Sequence, residues 1–73
     1  MNDDNILIFR TSVTTEEDIE RIGVLFAQDL CIHKWNVDFE DWEKVLRIES
    51  QGTTAVQIIK LLRTIGIVAL ELE

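Results

Sequence analysis

The sequence predicts an α+β domain in which two helices cover one face of a four-stranded antiparallel sheet. Four short segments are apolar and β-branched, and two other segments repeat apolar residues with a helical period. Their order is strand, helix, strand, strand, helix, strand. A chain of 73 residues with no proline and only three glycines leaves no room for a flexible linker. We therefore expect a single domain covering residues 1–73.

The N-terminal third predicts the first strand and the first helix. Residues 5–11 are apolar and β-branched, as in a strand that is buried on at least one face. Thr14 and Thr15 are each followed three residues later by an acidic residue, which is a pattern that caps a helix start. We expect the helix to span about 15–29. Its apolar face would consist of Ile19, Ile22, Gly23, Phe26 and Leu30.

The middle of the chain predicts a β-hairpin. Residues 33–39 alternate between polar and apolar side chains, so Trp35 is expected to point into the core. A polar turn follows at 40–42, and Trp42 is expected to cover this end of the hairpin. Residues 44–50 then alternate again. Two alternating segments joined by a short turn are typical of a hairpin.

The C-terminal third predicts the second helix and the last strand. Residues 51–54 interrupt the strand pattern, and Thr53 or Thr54 is expected to cap the helix. Gly66 suits the position just past the helix end, and 67–72 form an apolar strand. The helix face would consist of Ala55, Ile58, Ile59, Leu62 and Ile65.

Right-handed crossovers between these elements give a ferredoxin-like sandwich with the strand order fourth, first, third, second. This topology brings the loop at 11–15, the turn at 40–43 and Gly66 to one end of the molecule, which we call the upper end. It places Cys31 and His33 at the opposite end. Two acidic clusters are therefore expected to meet at the upper end. They comprise Glu16, Glu17, Asp18 and Glu20, and Asp38, Glu40, Asp41 and Glu43.

The net charge of −7 limits the classes of partner. An acidic surface repels phosphate backbones and anionic membrane surfaces, so nucleic acid and membrane insertion are not expected. The charge suits basic protein partners or divalent cations, and it also promotes solubility. A single cysteine permits no internal disulfide, and no apolar run approaches the ~20 residues that span a bilayer. We expect a cytoplasmic protein that is a monomer or a weak homodimer.

Catalytic and cofactor chemistry find little support in the residues. The only histidine, His33, is expected at the end opposite Ser12, and no glycine-rich phosphate loop is present. Cys31 and His33 could both face a metal on one side of a strand, but two ligands rarely make a site. A buried cysteine beside a strand-edge histidine is the simpler interpretation. We expect no enzymatic activity and no cofactor.

The face of the sheet that carries no helix is a second candidate interaction surface. If Leu46 and Ile48 point to the helices, then Ile6, Ile8 and Val45 point away from them. Exposed aliphatic residues on central strands can mark a docking or dimer surface.

The chain resembles the heavy-metal-associated domain of copper metallochaperones and of the N-terminal parts of metal-pumping ATPases. Residues 9–13 resemble the strand that leads into that family's C-x-x-C motif, and 35–39 with 44–48 resemble its central hairpin. The likeness covers nearly the whole chain. It implies that the metal-binding cysteines correspond to Thr15 and Asp18 in this sequence. Hydroxyl and carboxylate groups do not hold soft metals as thiolates do.

Three functions remain open at this stage. The first is a protein-interaction or regulatory module that docks a basic surface or a metal-transport partner through the acidic upper end. The second is a weak divalent-cation site or metal-transport accessory that uses Glu16, Glu17, Asp18 or Asp41. The third is a structural subunit that self-associates through Ile6, Ile8 and Val45.

Overall fold

The computed structural model describes residues 5–72, and the predicted fold class is confirmed. The sheet is antiparallel with the strand order β2-β3-β1-β4, and both helices lie on one of its faces. This order is the one expected from right-handed crossovers. In chain order the elements are β1 (Asn5–Thr11), α1 (Glu16–Ala27), β2 (Ile32–Asp38), β3 (Val45–Ser50), α2 (Ala55–Arg63) and β4 (Ala69–Glu71).

Both helices begin with a capping box. Thr15 caps α1 and pairs reciprocally with Asp18, whereas Thr54 caps α2 and pairs with Gln57. Each box satisfies backbone N–H groups that have no partner within the helix. At the other end of α2, Gly66 has a φ of +79°. Its N–H donates to the Arg63 carbonyl while the Ile67 N–H reaches the Leu62 carbonyl, which are the two bonds of a Schellman motif.

The core lies between the sheet and the two helices. Alternate residues of the central strands enter it, so Phe9 and Leu46, opposite one another in the ladder, are fully buried. Trp35 on β2 lies at its margin, with its ring perpendicular to that of Phe26 at 5.6 Å between centroids. The buried apolar residues are Phe9, Val13, Ile22, Phe26, Leu46, Ile48, Ile58, Leu62, Ile67 and Ala69.

The predicted extent of α1 is wrong at its C-terminal end. The helix ends at Ala27, and Leu30, expected on the buried face, is 92% exposed. The Asp29 carboxylate accepts a hydrogen bond from the Cys31 N–H at 2.9 Å, and the Asp29 carbonyl accepts one from the Ile32 N–H. These bonds form a turn that competes with a further helical turn and directs Leu30 to solvent. The last strand is also shorter than the expected 67–72.

Gly23 lies where α1 crosses β2. A Cβ atom added there would lie 3.4 Å from the Trp35 ring, at the close limit of an ordinary contact. The space is therefore sufficient for a methyl group and insufficient for a branched side chain.

We expect Gly23→Ala to raise the free energy of unfolding by up to ~1 kcal/mol, because alanine has the higher helix propensity. Gly23→Val should lower it, because its methyl groups would press on the Trp35 ring. Urea denaturation followed by circular dichroism measures both. Equal stabilisation by both variants would contradict this packing.

Candidate functional site

The three loops expected at the upper end do meet there. The Thr11 N–H donates to the Glu43 carbonyl at 3.3 Å, and the Thr11 hydroxyl donates to the Lys44 carbonyl at 2.6 Å. These bonds join the end of β1 to the β2–β3 turn. The Ser12 N–H donates to the Val68 carbonyl at 3.0 Å, and the Val68 N–H returns a bond to the Ser12 hydroxyl. The segment before β4 is thereby attached to the same end.

Thr15 and Asp18 lie together at the start of α1, and their side chains are hydrogen-bonded within their own loop. One carboxylate oxygen of Asp18, Oδ2, accepts hydrogen bonds from the Thr14 N–H at 3.0 Å, the Thr14 hydroxyl at 3.2 Å and the Thr15 N–H at 3.3 Å. The other oxygen lies 3.5 Å from the Arg21 guanidinium. The Thr15 hydroxyl accepts from the Asp18 N–H at 3.2 Å. Both side chains therefore serve to close the loop.

This loop favours the charged form of Asp18. The Thr14 backbone N–H is the main cause that lowers the pKa of Asp18 below its ordinary value, helped by the Thr15 N–H, the Thr14 hydroxyl and the Arg21 charge. Partial burial acts in the opposite direction, since the side chain is only 19% exposed. Asp18 thus remains a carboxylate, and its hydrogen bonds join the loop to the helix start.

The acidic side chains of the upper end fall into two groups. Glu16, Glu17 and Glu40 are exposed to solvent. Asp41 and Glu43 are half-buried. The Asp41 carboxylate accepts a hydrogen bond from the Glu43 N–H at 2.8 Å, and the Glu43 carboxylate lies 3.6 Å from the Arg10 guanidinium. Within residues 5–72, no three His, Cys, Asp or Glu side chains are grouped so that they could hold a metal ion.

Trp42 contributes more to this surface than the sequence suggested. It was expected to cover the hairpin end, yet it is 76% exposed. The Arg10 guanidinium lies 5.1 Å from the centre of its ring. A tryptophan among acidic residues in a turn was a signal for this exposure, because a core tryptophan normally lies in an apolar segment.

Lys44 fixes the shape of the β2–β3 turn. Its φ of +48° is unusual for a residue with a side chain. The Lys44 ammonium donates to the Phe39 carbonyl at 2.9 Å and lies 5.1 Å from the Phe39 ring centre. The Lys44 N–H donates to the Asp41 carbonyl at 3.0 Å. These contacts hold the turn in the form that presents Trp42 to solvent.

The opposite end differs from expectation at Cys31, which is exposed and not buried. The register of β2 against β3 shifts between Ile32 and Lys34, so the strand carries an irregularity at His33. Strict alternation does not apply across this bulge, and Cys31 and His33 cannot be assigned to one face by their spacing.

Ile6, Ile8 and Val45 lie on the helix-free face of the sheet, as the alternation predicted. Ile6 is 51% exposed, whereas Ile8 and Val45 are half-buried by their neighbours. Leu70 on β4 lies opposite Arg10 in the ladder and extends this apolar face, with 60% of its surface exposed. We call these four apolar residues the open-face strip. It is separate from the acidic side chains of the α1 start.

The fold of this chain is that of a heavy-metal-associated (HMA) domain. A solved structure described as the apo form of the HMA domain of copper chaperone for superoxide dismutase superimposes with a TM-score of 0.78. The match covers 100% of this chain and 74% of that chain at 13% sequence identity. No protein-family model and no curated protein sequence matches the chain. Within residues 5–72, no helix is long and apolar enough to cross a bilayer.

We expect Asp18→Asn to lower stability at neutral pH and to have little effect in acid. The folded-state pKa of Asp18 is lowered, so its contribution is present above the unfolded-state pKa of about 4 and is lost as pH falls through the folded value. Urea midpoints of both proteins between neutral and acidic pH measure the difference. A difference between the two urea midpoints that does not change with pH would contradict a role for the Asp18 charge.

Proposed function

We propose that this chain is a non-enzymatic protein-binding domain that keeps the HMA frame without a soft-metal site. It would dock a basic protein surface, such as that of a metal-transport partner, through its upper end. The observation that carries the proposal is the closed capping box of Thr15 and Asp18. The side chains at the expected ligand positions are hydrogen-bonded within their own loop.

Ligand chemistry supports the absence of a soft-metal site. Cu(I) and Zn(II) sites in small domains rely on thiolates or imidazoles, and the upper loop offers neither. The only cysteine, Cys31, lies at the other end of the molecule. A single exposed thiol there cannot replace a pair of thiolates at a helix start.

Charge and shape support docking at the upper end. Glu16, Glu17 and Glu40 are exposed, and Trp42 on the β2–β3 turn offers a large exposed apolar surface. Aromatic residues are frequent anchors in protein interfaces, while complementary charge steers association. A partner that carries lysine or arginine around an apolar recess would complement this combination.

Self-association and divalent-cation binding are the two alternative functions. Self-association is favoured by the open-face strip, in which Ile6 and Leu70 are exposed, since exposed apolar residues on a sheet can mark an interface. A weak carboxylate site for a divalent cation has less support, because Asp18 is committed to its loop and residues 5–72 contain no three-ligand group.

We expect the protein to show no stoichiometric binding of Cu(I) or Zn(II) tighter than micromolar in competition with a chelator. The matched control is the double variant Thr15→Cys with Asp18→Cys, which restores two thiols at the helix start and should gain tight Cu(I) binding. Tight binding by the unmodified protein would overturn the proposal. Failure of the folded double variant to bind would show that this loop is not a former metal site.

We expect an arginine- and lysine-rich peptide to bind at the upper end. Amide chemical shifts of residues in the α1 start and the β2–β3 turn should move on titration, and Glu16→Gln with Glu17→Gln should weaken binding several-fold. Glu49→Gln with Glu71→Gln removes the same charge elsewhere and serves as the control. Equal loss in both double variants would indicate non-specific attraction to the net charge and contradict a docking site.

A further inference from the structure

β2 (Ile32–Asp38) is the longer open edge of the sheet. The strand order places β3 on one side of it, and no strand of residues 5–72 pairs with its other side. The opposite edge, β4, has only three residues. An edge strand of seven residues presents backbone groups that can pair with another strand.

The hydrogen bonds of the sheet show which residues of β2 face this edge. The Leu72 N–H donates to the Ile8 carbonyl, so the even-numbered residues of β1 direct their backbone groups to β4. The odd-numbered residues therefore face β3. Leu7 pairs with Ile48, so Ile48 directs its backbone N–H and carbonyl to β1. The residues before and after Ile48 on β3 therefore direct their backbone groups to β2.

The same alternation reaches β2. Arg47 pairs with Asn36 across the ladder, so Asn36 directs its backbone groups inward to β3. The Gln51 N–H, just past the end of β3, donates to the Cys31 carbonyl. This bond agrees with odd-numbered residues of β3 directing their backbone groups to β2. Trp35 and Val37, on either side of Asn36, consequently direct their N–H and carbonyl groups outward. Two residues with outward backbone groups suffice for a pair of antiparallel ladder rungs.

We propose that β2 pairs antiparallel with β2 of a second copy of this chain, about a two-fold axis that passes beside Asn36. In this register Trp35 lies opposite Val37 of the other copy, and the outward backbone groups of both residues form four hydrogen bonds. The two sheets become one sheet of eight strands. A two-fold arrangement is the commonest form of homo-oligomer, and the contact is self-complementary.

The charges on β2 support this register. Lys34 and Asp38 are both exposed, and both lie two residues from Asn36 on the helix-free face of the sheet. Pairing about Asn36 therefore places each Lys34 opposite the Asp38 of the other copy, which gives two cross-strand ion pairs. A two-residue shift of the pairing in one direction would set Lys34 against Asn36. A shift in the other direction would set it against Glu40, beyond the end of the strand.

The apolar residues of β2 point to the same pairing. Trp35 and Val37 lie on the helix-covered face of this edge strand and are half-buried, so part of each side chain is accessible to a partner strand. An aromatic residue opposite a β-branched residue is a favourable cross-strand pair. Each copy carries a net charge of −7, which opposes association and predicts a weak dimer.

The test uses two charge reversals, Lys34→Asp and Asp38→Lys. Each variant alone would face like charges across the axis and should be monomeric in sedimentation at concentrations where the unmodified protein shows a rising mass. An equimolar mixture should form a heterodimer, because every pair across the axis is then complementary. Lys60→Asp reverses a charge on α2 and should leave the association unchanged.

A second readout follows the backbone directly. Hydrogen exchange at the Trp35 and Val37 amides should slow as the concentration of the unmodified protein rises, whereas the inward-facing Asn36 amide should not respond.

Three outcomes would overturn the proposal. They are an unmodified protein that stays monomeric at the highest concentration reached, a mixture of the two variants that fails to associate, and variants that each dimerise like the unmodified protein. The last result would indicate the open-face strip as the dimer surface. None of these measurements involves the Glu16 and Glu17 surface or a basic peptide, so they are independent of the proposed docking function.

Discussion

The hydrogen-bonded closure between Asp18 and the residues just before α1 is the constraint on which the upper end depends. A helix start exposes backbone N–H groups, and this chain satisfies them with its own carboxylate and hydroxyl groups. Ile22 and Phe26 of the helix that begins here are buried in the core. The Thr15 hydroxyl and the Asp18 carboxylate are engaged within the loop. Loop closure and helix capping therefore use the same two side chains.

The surroundings of this loop hold the upper end together and leave part of it exposed. Thr11 attaches the β2–β3 turn to β1, and the positive φ of Lys44 shapes that turn. Arg10 lies between the Glu43 carboxylate and the Trp42 ring, so one cation orders both side chains. Glu16 and Glu17 at the start of α1 remain exposed. A preorganised surface loses less conformational entropy on binding than a mobile one, which suits the proposed docking role.

The likeness to a copper-chaperone domain at 13% identity shows how few constraints the fold requires. Alternating apolar residues in the strands, two capped helices and a glycine after α2 all accompany the sandwich in this chain. None of these features depends on a metal ligand, so the fold does not by itself state the chemistry at the α1 start. Function must therefore be argued from the loop residues and from the exposed surfaces. In this chain those surfaces are the acidic upper end, the open-face strip and the edge of β2.

The sequence by itself determined the order of elements, the strand order and the position of Gly66, and it narrowed the helix caps to Thr14 or Thr15 and to Thr53 or Thr54; the structure selected Thr15 and Thr54. These features depend on residues close in sequence or on a regular period, and the chain contains that information locally. Only the structure decided the exposure of Leu30 and Cys31 and the contact of Trp42 with Arg10. Leu30 and Cys31 follow from a side-chain turn at Asp29 that ended α1 early, and Trp42 lies over Arg10, 32 positions earlier in the chain. The helical period does not register a local side-chain turn, and a contact between distant segments leaves no periodic signal.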